Sequence, residues 1–213
     1  MKKSPVFILL ITVLSFFCAP GQIHAADSSD RIPGHKKVGL VLSGGGAKGV
    51  AHIGVLKVLE EAGFPIDYIS GTSMGSLIGA LYAIGYTAKD LETLAKNQNW
   101  DILLSDKIKW KDRSLFSRLY GNVYTVSFPF SPNSGKSLVP AGLIKGQNIN
   151  TLFSELTAGY QNPIDFNTLP IPFSCVATNI YTGKPYVFRR GVLQNAMRAS
   201  MSIPGVFSPV IYN

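Results

Sequence analysis

The first half of the chain switches between two hydrophobic rhythms. Lys37 to Ser43 (KVGLVLS) is a short, nearly continuous apolar run rich in Val and Leu, which predicts a strand buried on both faces. From Gly49 to Ala62, Val50, Ile53, Leu56 and Leu59 recur at helical spacing, and Gly63 is the expected stop. Ile66 to Ser70 (IDYIS) predicts a second strand. Strand, helix and strand in such close succession form a βαβ unit, so the strands run parallel. The expected fold class is therefore α/β, with a mainly parallel central sheet and helices on both faces.

A helix is predicted from Met74 to about Ile84. Its small residues Gly75, Ser76, Gly79, Ala80 and Ala83 let the backbone lie close to a neighbour. Thr87-Ala88-Lys89-Asp90 reads as a capping box opening another helix. From Trp100 to Pro140 periodicity fails, which marks an insertion or lid carrying Phe116, Tyr120, Tyr124, Phe128 and Phe130. Gln147 to Leu156 is again helical. Phe173 to Ile180 and Pro185 to Arg189 flank the turn-like Tyr181-Thr182-Gly183-Lys184 as a hairpin, and Val192 to Met201 is helical until Pro204.

A chain of 213 residues suits one domain with a substantial core. Residues 1–25 read as a signal peptide: a Lys2-Lys3 n-region, an apolar stretch from Val6 to Ala19, and a small residue, Ala25, for cleavage. That stretch is shorter than the ~18 residues of a spanning helix. Cys18 invites a lipoprotein reading, which the bulky Phe16 and Phe17 before it oppose. Residues 26–36 then form a leader, and 37–213 the domain. Loss of Lys2 and Lys3 lowers the formal charge from +8 to +6, an excess that suits an anionic surface. Lys107, Lys109, Lys111 and Arg113 alternate with Ile108, Trp110 and Asp112 as a basic ribbon, either a solvated face or a headgroup contact. With Cys18 in the signal, Cys175 has no intramolecular disulfide partner.

The candidate chemistry lies in two glycine-rich turns. Gly44 to Gly49 matches G-x-G-x-x-G after a strand, but Asp67 begins the second strand where a ribose-binding acid would end it. A P-loop is excluded, because Val50 and Ala51 stand where Lys-Ser/Thr should follow. Gly71-Thr72-Ser73-Met74-Gly75 is a G-x-S-x-G sequence between a strand and a helix, the context of a nucleophile elbow. In one βαβ unit both turns emerge at the same sheet edge, so the amides of Gly45 and Gly46 can face an oxyanion formed when Ser73 attacks a carbonyl. His24, His35 and His52 all precede Ser73, which argues against a Ser-His-acid triad; His52 reads as a packing or surface residue.

The elbow serine, the preceding triple-glycine loop and the later Arg198-Ala199-Ser200-Met201-Ser202-Ile203-Pro204 together resemble the bacterial patatin-like phospholipases, in particular an exported member. The resemblance covers Val38 to Val210 and implies a three-layer sandwich and a Ser-Asp dyad. By it, Ser73 is the nucleophile, Gly44, Gly45 and Gly46 form the oxyanion hole, and Lys48, Gly49, Gly71 and Gly75 complete the motifs. It implies a phospholipid or lysophospholipid substrate and a membrane surface. It implies no metal, cofactor or nucleic acid, and leaves the oligomeric state open.

The sequence departs from that pattern at the base. It has no Asp-Gly pair, and its last aspartate, Asp165, precedes Ile203-Pro204 and reads as a turn former, so the partner Asp is not present in this chain. The expectation is a domain that is C-terminally incomplete. Three readings follow: a lipid acyl hydrolase, an incomplete or non-catalytic lipid-binding module of a larger envelope protein, and a dinucleotide-binding oxidoreductase that the elbow disfavours. The expected location is the periplasm or outer membrane of a bacterium. N-terminal sequencing of the mature protein is expected to begin near Ala26; a retained Met1 on cytoplasmic material would refute export.

Overall fold

The computed structural model describes residues 36–106 and 142–212. The signal 1–25, leader residues 26–35, the basic ribbon 107–113 and the aromatic stretch from Phe116 to Phe130 lie outside the described residues. Strand β1 (Gly39–Leu42) and strand β2 (Tyr68–Thr72) pair in parallel, Leu40 opposite Ile69, and helix α1 (Ala51–Glu61) joins them. The predicted βαβ unit is therefore present. Its helix begins two residues late, because Gly46–Val50 first forms a tighter 3₁₀ turn.

Helix α2 (Met74–Ala83) follows β2 directly, and α3 (Ala88–Asn97) opens on the expected capping box. Thr87 Oγ1 accepts from the Asp90 amide at 3.2 Å, and the Thr87 amide donates to Asp90 Oδ2 at 3.0 Å. The Thr87 hydroxyl also donates to Asp90 Oδ2 at 2.7 Å, and this bond, with the one from the Thr87 amide, holds the Asp90 carboxyl below the usual carboxylate range.

The expected irregular region starts later than the sequence suggests. Trp100–Leu103 is a short helix, α4, opened by the Asn99 side chain, and Trp100, Leu103 and Leu104 pack against the core. One helical turn is too short to carry a periodic signal. Beyond it come β3 (Gly142–Ile144), α5 (Gln147–Leu156), β4 (Ile164–Asp165), β5 (Phe173–Thr178), β6 (Pro185–Phe188), β7 (Arg190–Gly191), α6 (Leu193–Ser200) and β8 (Gly205–Phe207).

The main sheet has the order β1-β2-β5-β6, with the first three strands parallel and β5 and β6 forming the predicted antiparallel hairpin. The small sheets β3–β8 and β4–β7 have no counterpart in the sequence reading, since each strand is only two or three residues long. Helix α2 is buried nearly all round, as a helix that is hydrophobic on every face should be. Its Leu77, Ile78 and Leu81 share the core with Leu56 of α1, Ile69 of β2, Phe173 of β5, Phe153 of α5 and Met197 of α6. A Cβ on Gly79 would lie 2.9 Å from Ile69 Cγ2, so the helix rests directly on the sheet.

Cys175 in β5 is fully buried, and burial pushes its thiol from 9.0 up to about 12. It stays a thiol at neutral pH and packs as a small apolar residue. In a chain starting at Ala26, a thiol reagent is expected to find no accessible sulfhydryl until denaturant unfolds the domain; reaction under native conditions would refute this packing. Because the folded value is raised, this group's contribution to stability is complete below the unfolded thiol's ordinary value. It declines as pH climbs from there toward 12.

Candidate active site

β2 passes into α2 through Gly71-Thr72-Ser73-Met74-Gly75 with no intervening loop. Ser73 takes φ 53° and ψ −120°, a backbone conformation that side chains disfavour and that costs on the order of 1–3 kcal/mol. Close packing holds it there. A Cβ on Gly71 would lie 2.4 Å from the Gly75 carbonyl oxygen, and one on Gly75 would lie 2.3 Å from the Leu42 carbonyl oxygen. The turn is thus folded against itself and against the end of β1, at a separation only glycine allows.

Hydrogen bonds fix the same turn. The Ser73 carbonyl accepts from the Ser76 amide at 2.9 Å, the Leu77 amide at 3.1 Å and the Ser76 hydroxyl at 2.7 Å, which starts α2. The Ser73 amide does not join the helix ladder: it donates to Ser200 Oγ at 2.8 Å, and that hydroxyl donates to the Val176 carbonyl at 2.6 Å. One side chain of α6 therefore ties the turn to β5. Ser73 itself is half-buried.

The glycine loop leaves β1 beside this turn, as parallel strands require. A Cβ on Gly44 would come within 3.2 Å of Ser73 Cβ, and Gly46 has φ 55° at the head of the 3₁₀ turn. Gly45 adopts φ 153°, and its carbonyl accepts from the Lys48 amide at 3.2 Å. Gly49 is buried where a Cβ would meet Met74 Cβ at 2.6 Å, so it permits the start of α1 to pack on α2. Lys48 is exposed. His52 Nε2 donates to the Ser43 carbonyl at 2.9 Å, so this histidine tethers the entrance of the loop.

Beneath the site, Arg198 is buried. Its guanidinium donates to Ser202 Oγ at 2.6 Å, to the Lys145 carbonyl at 3.0 Å and to the Ser208 carbonyl at 3.3 Å, and stacks 5.0 Å from the Phe207 ring. Burial lowers its pKa, and the Asp106 carboxylate opposes that shift. Asp106 Oδ2 accepts from the Gly146 amide at 2.6 Å. The Arg-Ala-Ser-Met-Ser segment thus has a physical role: Arg198 and Ser202 anchor α6, and Ser200 reaches the turn.

The structure brings Gly44, Gly45, Gly46, Gly49, Gly71, Ser73 and Gly75 together and leaves Lys48 on the outside. Asp165 is elsewhere: it is exposed, and Oδ1 accepts from the Asn167 amide at 2.9 Å, which makes it the turn former the sequence suggested. Asp67 Oδ2 accepts from the Val38 amide at 2.8 Å, at the sheet end opposite the glycine loop, so it is not placed to meet a ribose there. Sequence reasoning missed Ser200 and the tether made by His52. The Ser200 motif was visible, but a hydroxyl's partner 127 residues away leaves no local pattern. Among the described residues no group of three or more His, Cys, Asp or Glu could hold a metal ion.

A parallel sheet, a sharp serine turn and a glycine loop at one strand edge define an α/β domain of the patatin type. The chain belongs to the patatin-like phospholipase family, whose model matches residues 40–213. It is 32% identical over 191 residues to an uncharacterized NTE family protein of Mycobacterium tuberculosis, covering 90% of this chain and 43% of the relative. It is 36% identical over 173 residues to a patatin-like phospholipase domain-containing protein of Caenorhabditis elegans, covering 81% of this chain and 11% of the relative. Lysophospholipase nte1 of Aspergillus fumigatus is 35% identical over 176 residues, with 82% and 10% covered. The chain thus spans less than half the length of these relatives. Among solved structures, VipD from Legionella pneumophila superposes with a TM-score of 0.48 at 16% identity, over 81% of this chain and 43% of that one.

Ser200→Ala is expected to leave the Ser73 amide and the Val176 carbonyl without their partner, at a cost of about 1–3 kcal/mol. Urea unfolding of the two proteins measures it; unchanged stability would show that the hydroxyl bridge holds nothing. Gly75→Ala is expected to be worse, because the new methyl meets the rigid β1 backbone.

Proposed function

We propose that the domain is a lipid acyl hydrolase acting through Ser73. The observation that carries this reading is the strained Ser73 turn, pressed against a triple-glycine loop at the carboxyl edge of parallel strands. In the proposed reaction Ser73 Oγ attacks the carbonyl carbon of a lipid ester and gives up its proton to a base. The tetrahedral oxyanion collapses, the alcohol part of the lipid leaves with a proton, and an acyl-serine remains. Water then hydrolyses that ester, releasing a fatty acid and restoring the serine hydroxyl.

Since the Ser73 amide already donates to Ser200, the oxyanion donors in this mechanism are backbone amides of Gly44, Gly45 and Gly46. Such a donor typically contributes about 10²–10³ in rate. Membership of the family and the lysophospholipase relative support a phospholipid or lysophospholipid substrate. The base is proposed to be an aspartate of an Asp-Gly motif. This sequence has no such pair, and Asp165 is engaged in its own turn, which favours as a second reading a lipid-binding module without full activity. Export to a bacterial envelope remains part of the proposal, resting on residues 1–25.

A fluorophosphonate ester probe is expected to modify Ser73 alone, with no modification in Ser73→Ala; labelling that persists in Ser73→Ala would move the nucleophile elsewhere. Hydrolysis of one short-chain ester, measured side by side, is expected to be at least about a hundredfold faster in a chain carrying an Asp-Gly motif after Pro204 than in residues 26–213. Equal rates would place the base within these residues and withdraw the dyad.

A further inference from the structure

Strand β1 hands the chain to the glycine loop at Ser43, and the Ser43 carbonyl is held from two sides. His52 Nε2 lies 2.9 Å from its oxygen, and a Cβ on Gly75 would lie 2.6 Å from the same atom. A carbonyl oxygen can only accept, so the ring carries its proton on Nε2. The imidazole is itself seated. His52 is the second residue of α1 and half-buried, and its Cδ2 is 3.8 Å from the place a Cβ on Gly49 would occupy. Gly49 in turn lies against Met74, the residue after Ser73. The ring thus stands where the start of α1 meets the start of α2.

Peptide planarity carries this bond toward the serine. In a trans peptide the carbonyl and the amide that follows it point in opposite directions. With the Ser43 oxygen turned toward His52 and Gly75, the Gly44 N–H is turned to the other side of the same plane. Two residues on, the pattern repeats: the Gly45 oxygen accepts from the Lys48 amide at 3.2 Å, which sets the Gly46 N–H opposite to it. Of the amides proposed as oxyanion donors, that of Gly46 is therefore aimed by backbone alone, and that of Gly44 by a side chain. Gly44 is also the loop residue that comes against the nucleophile, since a Cβ on it would lie 3.2 Å from Ser73 Cβ. A glycine has no side chain to restrain its backbone, so without a partner for the Ser43 oxygen this peptide is free to turn. A turned peptide would offer an oxygen where the oxyanion needs a donor.

We propose that His52 is a positioning residue for ester hydrolysis: by donating from Nε2 to the Ser43 carbonyl, it holds the Gly44 amide toward the oxyanion that forms at Ser73. The proposal rests on the reading of Ser73 as the nucleophile and of Gly44 as an oxyanion donor. It gives His52 no proton transfer. The Nε2 proton stays on the ring throughout, so the role needs a donor and not a base. Loss of one oxyanion donor typically costs about 10²–10³ in rate, which sets the upper limit for misaiming one.

The test is the rate constant for modification of Ser73 by a fluorophosphonate ester, whose phosphoryl oxygen takes the oxyanion position as the serine attacks. His52→Leu is expected to lower that constant about ten- to hundredfold. His52→Gln, which offers an amide N–H close to the position of Nε2 and is no base at neutral pH, is expected to restore it to within about threefold. Equal rates in the unchanged protein and His52→Leu would overturn the positioning role while leaving Ser73 as the nucleophile. A loss in His52→Gln as deep as in His52→Leu would overturn it too, since a donor alone would then not suffice. Failure to label the unchanged protein would remove the Ser73 reading and this one together. One measurement does not depend on how the variants fold: in protein labelled with ¹⁵N-histidine, the neutral His52 ring is expected to carry its proton on Nε2. A neutral ring protonated on Nδ1 would remove the hydrogen bond on which the proposal stands.

Discussion

The approach of the Gly75 backbone to the Leu42 carbonyl is the contact on which the rest of the site depends. It brings the start of a buried helix against the end of the first strand with no side chain between them. Once that distance is set, the glycine loop has to pass beside Ser73, and the turn has to take up its disfavoured dihedral angles. The strain is local and modest, on the order of 1–3 kcal/mol, while α2 buries Leu77, Ile78 and Leu81 at roughly 1.5–3 kcal/mol each. Burial of the helix therefore outweighs the cost of the turn that leads into it.

A second tier of contacts gives the turn its orientation. Ser200 accepts from one backbone segment and donates to another, so its hydroxyl proton has a single direction to point. Arg198 binds two carbonyls and the Ser202 hydroxyl from inside the protein, which fixes the helix that carries Ser200. Removing either end of this chain leaves a buried polar group without its partner, the situation in which hydrogen bonds matter most.

The parts of the fold that could be read from the sequence are those whose signals are local. The βαβ unit, the capping box at Thr87 and Asp90, helix Gln147–Leu156 and the hairpin around Tyr181-Thr182-Gly183-Lys184 all follow from periodicity, caps or turn residues within about a dozen positions. Ser73 and its flanking glycines were legible for the same reason. The two small sheets were not, because strands of two or three residues have no alternation to detect. Nor was helix α4, which consists of a single turn capped by Asn99. The clamp on Ser73 was invisible for a different reason: Ser200 is an unremarkable helical serine until tertiary packing places it under a turn far away in the chain.

That separation has a consequence in time. The Ser73 amide meets Ser200 across 127 residues, a contact that closes only after α6 has packed onto β5. A chain emerging from synthesis can complete β1, α1, β2 and α2 with its Ser73 turn still unclamped, since the residue that orients it has yet to be made. The same hydrogen bond that fixes the turn therefore also delays its final geometry until residues more than a hundred positions later have folded.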